Sequence, residues 1–133
     1  MNKMRELTEF MLWNHIFFVF ELARSLMYEE YLLFIFGCIT TGLSYYRHLY
    51  NEDCCNTCEP FIAKFTVAYM SLVGLWYFDS MDLYVLFFNK CLLLLIWKIE
   101  CINYELIHPW LHIVMAMDTH YYVSCWQDVM ISV

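Results

Sequence analysis

The stretch that decides the fold is Phe61-Ile62-Ala63-Lys64-Phe65-Thr66-Val67-Ala68-Tyr69-Met70-Ser71-Leu72-Val73-Gly74-Leu75-Trp76-Tyr77-Phe78. Lys64, near its start, is its one charge. A helix that crosses a bilayer needs about 20 residues, with a range of roughly 17–25. This run meets that length. Its far end closes on Trp76 and Tyr77, as aromatic residues do at a membrane–water boundary.

Four further apolar segments surround it, near residues 10–27, 31–48, 82–98 and 106–126, with the quoted run taken as 60–78. The expected fold class is therefore all-α, a polytopic transmembrane helical bundle of about five helices, with residues 1–133 as a single integral-membrane domain. The segment at 106–126 is also long enough to span. Those at 31–48 and 82–98 span only if flanking aromatic and charged residues sit in the headgroup zone. The segment at 10–27 is the weakest, because Glu21 and Arg24 fall in its second half. These two are three residues apart and can pair on one helix face. Asn89 and Lys90 interrupt the segment at 82–98. Lys90 marks a cavity, pairs with an acid or snorkels, and a structural role is expected.

Composition points the same way. Of the 133 residues, 62% are hydrophobic and only 16% are charged; the mean hydropathy is +0.52. An ordinary soluble domain is about 45–50% apolar and about 25% charged. A soluble protein this small has too much surface to hide so many apolar side chains. The net charge of −7 argues against nucleic acid. It also argues against electrostatic docking on anionic lipid, which needs clustered Lys and Arg. The expected partners are the membrane and a membrane lipid, with any protein partner unknown.

Bulky residues, Glu21 and Arg24 stand where a cleavable signal would carry small ones, so a retained first helix is expected. Cys38, Cys91, Cys101 and Cys125 lie in or beside apolar segments and read as small hydrophobes. Cys54, Cys55 and Cys58 cluster in what reads as a polar loop. The single Cys55-x-x-Cys58 has no second pair to complete a four-thiolate zinc site. A disulfide, free thiols and palmitoylation all stay open there. Pro60 and Pro109 are expected at helix starts, where proline is tolerated.

With the N-terminus inside, Lys3, Arg5, Arg47, Lys64 and Lys98 fall inside and only Arg24 outside, which favours that orientation. His48 ends the second segment and His108 begins the fifth, with two complete crossings between them. Both ends therefore face the same side of the membrane, as does Glu59. Asp79 and Asp82 face the other.

Two spacings carry chemistry. His108 and His112, in His108-Pro109-Trp110-Leu111-His112, share one helix face. Ser44 and His48 are likewise four apart. Histidine is a common zinc ligand, and three ligands plus water is the usual catalytic count. Zinc acidifies the water it binds to near neutrality, and a carboxylate is then needed to carry the proton. Glu59 is the nearest carboxylate in sequence, and Ser44 suits a developing oxyanion. A single histidine at a helix end is more often interfacial than ligating, but the spaced set favours a metal. His15 and His120 are expected to be packed or interfacial.

This pattern is S-x-x-x-H at one helix end, an acid near the next helix start and H-x-x-x-H opening the last helix. It resembles the seven-helix hydrolase superfamily of alkaline ceramidases, progestin/adipoQ receptors and the transmembrane protein 8 (myomaker) family, the last most of all. Tyr104, His108, His112 and Met115-Ala116-Met117 carry the resemblance in the last segment; Ser44, Tyr45, Tyr46 and His48 carry it in the second. The resemblance implies His48, His108 and His112 as zinc ligands and Ser44 as a supporting residue. It implies hydrolysis of an amide or ester bond in a membrane lipid, or else a non-enzymatic membrane interaction or fusion role with a structural metal. The chain departs from the family in having five segments rather than seven, Glu59 in place of an aspartate and Pro109 in place of a serine. A shortened member is the expectation. Haem is a third possibility, but two histidines four apart on one helix cannot take opposite faces of one haem.

Overall fold

The computed structural model describes the backbone of residues 2–50 and 53–133, and the side chains of residues 15–46, 61–103 and 106–133. Among the described residues there are five helices and no strands, so the chain is all-α. The helices are α1 (Asn2–Met27), α2 (Tyr31–Tyr50), α3 (Asp53–Tyr77), α4 (Ser80–Ile99) and α5 (Tyr104–Ser132). One of them, α4, is long and apolar enough to cross a membrane, with a mean hydropathy of 1.5. The apolar stretches Tyr31–Tyr46 and Phe61–Tyr77 are shorter. The helix that needed its flanks to qualify is thus the one that does, because Ser80, Met81, Lys98 and Ile99 all continue it.

The apolar segments understate the helices. α1 begins at Asn2 rather than near residue 10, and α5 continues to Ser132 rather than ending near 126. Cys54, Cys55 and Cys58 fall within α3 and not in a loop, and Pro60 falls inside that helix rather than at its start. Pro109 likewise sits inside α5, more than one turn from its start. It lacks the amide that would bond to the carbonyl of Glu105. In each case a polar helical turn precedes or follows the apolar run, and hydropathy does not register it.

The chain divides into two compact units, Met1–Tyr69 and Met70–Val133. In the first, α1 packs against α2. α1 ends where Glu29 takes a left-handed φ of 62°. The Glu30 amide donates to Ser25 O at 2.8 Å, and the Glu29 amide to Leu26 O at 3.2 Å. This is a Schellman closure, with a glutamate where glycine is favoured. A Cβ on Gly37 would strike Leu22 Cδ2, so the missing side chain sets how closely α2 approaches α1. Phe36 of α2 meets the rings of Phe65 and Tyr69 edge-on, and the Tyr69 hydroxyl donates to Glu30 Oε1 at 2.7 Å. Glu21 and Arg24 pair at 2.8 Å, as their spacing suggested.

In the second unit, α4 and α5 form an antiparallel hairpin. Asp79 caps α4 by accepting from the Asp82 amide at 2.9 Å, and Asn103 caps α5 by accepting from the Leu106 amide at 3.3 Å. These caps satisfy amides that a helix start leaves open. Leu93, Tyr122 and Val123 form the sealed centre. Tyr77, the last residue of α3, meets Trp126 edge-on, and Phe78, just beyond the helix, meets the ring of Tyr122 at a tilt.

Candidate functional site

Three polar links run down the α4–α5 hairpin. Farthest from the turn, the Tyr121 hydroxyl donates to Asp82 Oδ1 at 2.8 Å. Midway, Lys90 Nζ donates to Asp118 Oδ2. At the turn, Glu100 meets His108. The partners draw closer in sequence toward the turn, as an antiparallel register requires. Lys90 is therefore paired with an acid. It also lines a cleft of about 380 Å³ with Ser71, Ser80, Leu83 and Phe87. The Asn89 amide lies beside the Asp118 carboxylate as well.

The turn-end link carries the candidate chemistry. His108 and His112 stand one helical turn apart, and their rings meet at 4.8 Å between centroids and 70° between planes. Their Nε2 atoms are 3.1 Å apart. His108 turns its other nitrogen, Nδ1, to Glu100 Oε2 at 2.9 Å. Both histidines are buried, at 3% and 6% exposure. The Glu100 side chain keeps 18%.

A separation of 3.1 Å suits an N–H···N hydrogen bond. It also suits two donors on one ion. At Zn–N distances of about 2.0–2.1 Å, two nitrogens of a tetrahedral site lie about 3.3 Å apart. The pair thus fits the nitrogen part of a zinc site, with a carboxylate behind His108 of the kind that metal-bound histidines carry. Among the described residues no three His, Cys, Asp or Glu side chains group to hold a metal ion.

Ser44 belongs to the first unit. Its hydroxyl is buried and lies 3.0 Å from His15 Nε2, and the His15 ring stands edge-on to Tyr45 at 5.6 Å. The structure therefore brings His108 and His112 together, and it ties Ser44 to His15. His48 lies near the end of α2 and Glu59 within α3. Their side chains fall outside the described ones.

Sequence reasoning missed two of these partners. Glu100 lies between two apolar segments, and only the hairpin fold brings it to His108. His15 was expected to be packed or interfacial, not to hold Ser44. Its signal was a polar side chain in an apolar run, which has to find a partner. Compared with known protein families, with proteins of curated function and with solved structures, the chain matches none.

Proposed function

We propose that this chain is a multi-pass integral-membrane protein with a zinc-dependent site of the lipid-hydrolase type. In this reading it is a shortened relative of the seven-helix hydrolase superfamily and stands nearest the transmembrane protein 8 family. The site lies at the turn end of the α4–α5 hairpin, and the carrying observation is the pair of Nε2 atoms 3.1 Å apart on His108 and His112. The membrane reading is supported by an inverted polarity. Glu21, Glu30 and Asp118 are buried, whereas Phe17, Phe20, Phe87 and Phe88 are all more than 60% exposed. In water such a surface is an aggregation hazard; in lipid, polar side chains turn inward and apolar ones face out.

His108 and His112 would hold the ion, and the resemblance gives the next ligand position to His48. Zinc would supply Lewis-acid polarisation of an acyl carbonyl and an acidified water. The chain's own groups would do the rest. Ser44, one of whose hydrogen bonds goes to His15, keeps lone-pair capacity for a second contact with substrate. Glu59 would carry a proton between the attacking water and the leaving group. The substrate class is an amide or ester of a membrane lipid.

Metal analysis of protein purified in detergent tests the site. Zinc is expected near one equivalent in the wild type, and His108→Ala with His112→Ala should remove it. Zinc absent from the wild type, or unchanged in the double variant, would overturn the proposal. The depth of both histidines favours a second reading, in which the metal is structural and the protein is a non-enzymatic membrane interaction or fusion factor. Lipid hydrolysis by wild type and His112→Ala separates the two. Equal background rates with retained folding select the second.

A further inference from the structure

We propose that Glu100 is the positioning residue of the histidine pair. It holds His108 in the tautomer with its proton on Nδ1, so that the Nε2 lone pair faces His112 and an incoming transition-metal cation. The ligand, though not the tautomer, rests on the zinc reading above.

The assignment follows from what each group can do. An ionised carboxylate only accepts hydrogen bonds. With Glu100 Oε2 at 2.9 Å, Nδ1 of His108 must donate. A neutral imidazole has one N–H, so Nε2 of His108 is left bare. His112 Nε2, 3.1 Å away, then supplies the proton between the rings. The three side chains form one polarised chain, with His112 donating to His108 and His108 to Glu100. A cation bound between the rings needs the His112 proton moved from Nε2 to Nδ1, so that both rings stay neutral, and it finds the His108 lone pair already aimed. Imidazole pairs of this kind suit zinc, copper or nickel.

The backbone keeps Glu100 in place. It caps α4, and its amide bonds to Ile96 O at 2.9 Å. The turn beyond it is closed by the Ile102 amide on Ile99 O at 3.0 Å, and Asn103 then caps α5. The carboxylate is thus carried by the rigid end of a hairpin only eight residues from His108. Its side chain keeps 18% exposure and so escapes the desolvation cost of full burial.

The test uses the full chain in detergent micelles with histidine labelled by nitrogen-15, assigned through His108→Gln and His112→Gln. In the metal-free wild type, His108 should show a protonated Nδ1 and a bare Nε2. Glu100→Ala should shift His108 toward the Nε2–H tautomer, and should weaken binding of zinc alone by roughly 10–100-fold. Glu100→Gln, whose amide oxygen still accepts from Nδ1, should keep the wild-type tautomer and lose less affinity. Circular dichroism confirms that each variant is folded. A wild-type His108 with its proton on Nε2, or on both nitrogens, would overturn the proposal. So would a folded Glu100→Ala with unchanged tautomer and zinc affinity. If zinc fails to bind the wild type while Glu100→Ala still moves the tautomer, the zinc reading falls and the positioning role stands.

Discussion

Replacing Lys90 with methionine strips Asp118 of its ammonium partner at a point that water does not reach. Asp118 is fully buried at 0% exposure, so no solvent can stand in. Breaking a buried ion pair from one side costs about 3–5 kcal/mol, because the remaining charge is left uncompensated. Lys90→Met should cost about that much. Asp118→Leu should cost about half as much, since the Lys90 side chain keeps 12% exposure and lines the cleft beside Ser71 and Ser80. Its ammonium can turn that way on its flexible stem. The double variant Lys90→Met/Asp118→Leu replaces the pair with apolar groups and should return to the wild-type value or exceed it by about 1–4 kcal/mol. The cycle then gives a coupling of at least about 4.5 kcal/mol. Reversible unfolding in mixed detergent micelles, followed by tryptophan fluorescence and circular dichroism, measures all four corners. If the double variant loses the sum of the singles to within about 0.5 kcal/mol, the two residues do not act as a pair and the reasoning fails.

Two further outcomes follow from the α1–α2 hairpin. Glu29→Gly should stabilise the protein by up to about 1 kcal/mol in the same unfolding assay, since a left-handed φ strains a side-chain-bearing residue and not glycine; a net loss would show that the glutamate side chain matters more than the backbone there. Gly37→Ala should cost up to about 2 kcal/mol net, the push on Leu22 being offset in part by the roughly 1 kcal/mol that alanine gains over glycine inside a helix, and adding Leu22→Ala should cost less than that change does alone, an interaction a double-mutant cycle reads directly.

The helical segmentation was legible because apolar runs are bounded by charges and aromatic residues, and each of the five runs became a helix. The ends were not legible. Lys3, Arg5 and Glu6 belong to α1, and Gln127 and Asp128 to α5. Charged and polar residues of good helix propensity continue a helix without adding hydropathy. α5 shows the same dilution, because Glu105, Asp118, His120, Gln127 and Asp128 join the two site histidines in lowering its average. At the site, the His108–His112 contact was legible because helical spacing alone dictates it. The links of Glu100 to His108 and of His15 to Ser44 were not, since each depends on how two helices fold back on one another. Lys90 was an intermediate case. The sequence left it to mark a cavity, pair with an acid or snorkel, and only the hairpin register selected Asp118.

The Lys90–Asp118 link also bears on how such a chain is made. On the insertion scale a charge at the centre of a spanning helix costs roughly 2.5–3.5 kcal/mol. Under the membrane reading proposed above, α4 would leave the ribosome before α5, and Lys90 would reach the translocon with its charge unmatched. Joined to Asp118, it would enter as part of a neutral couple. For a membrane-embedded chain, the hairpin rather than the single helix is then the unit of integration. Glycosylation reporters placed after α4, with and without α5 downstream, would show α4 held back until Asp118 has been synthesised.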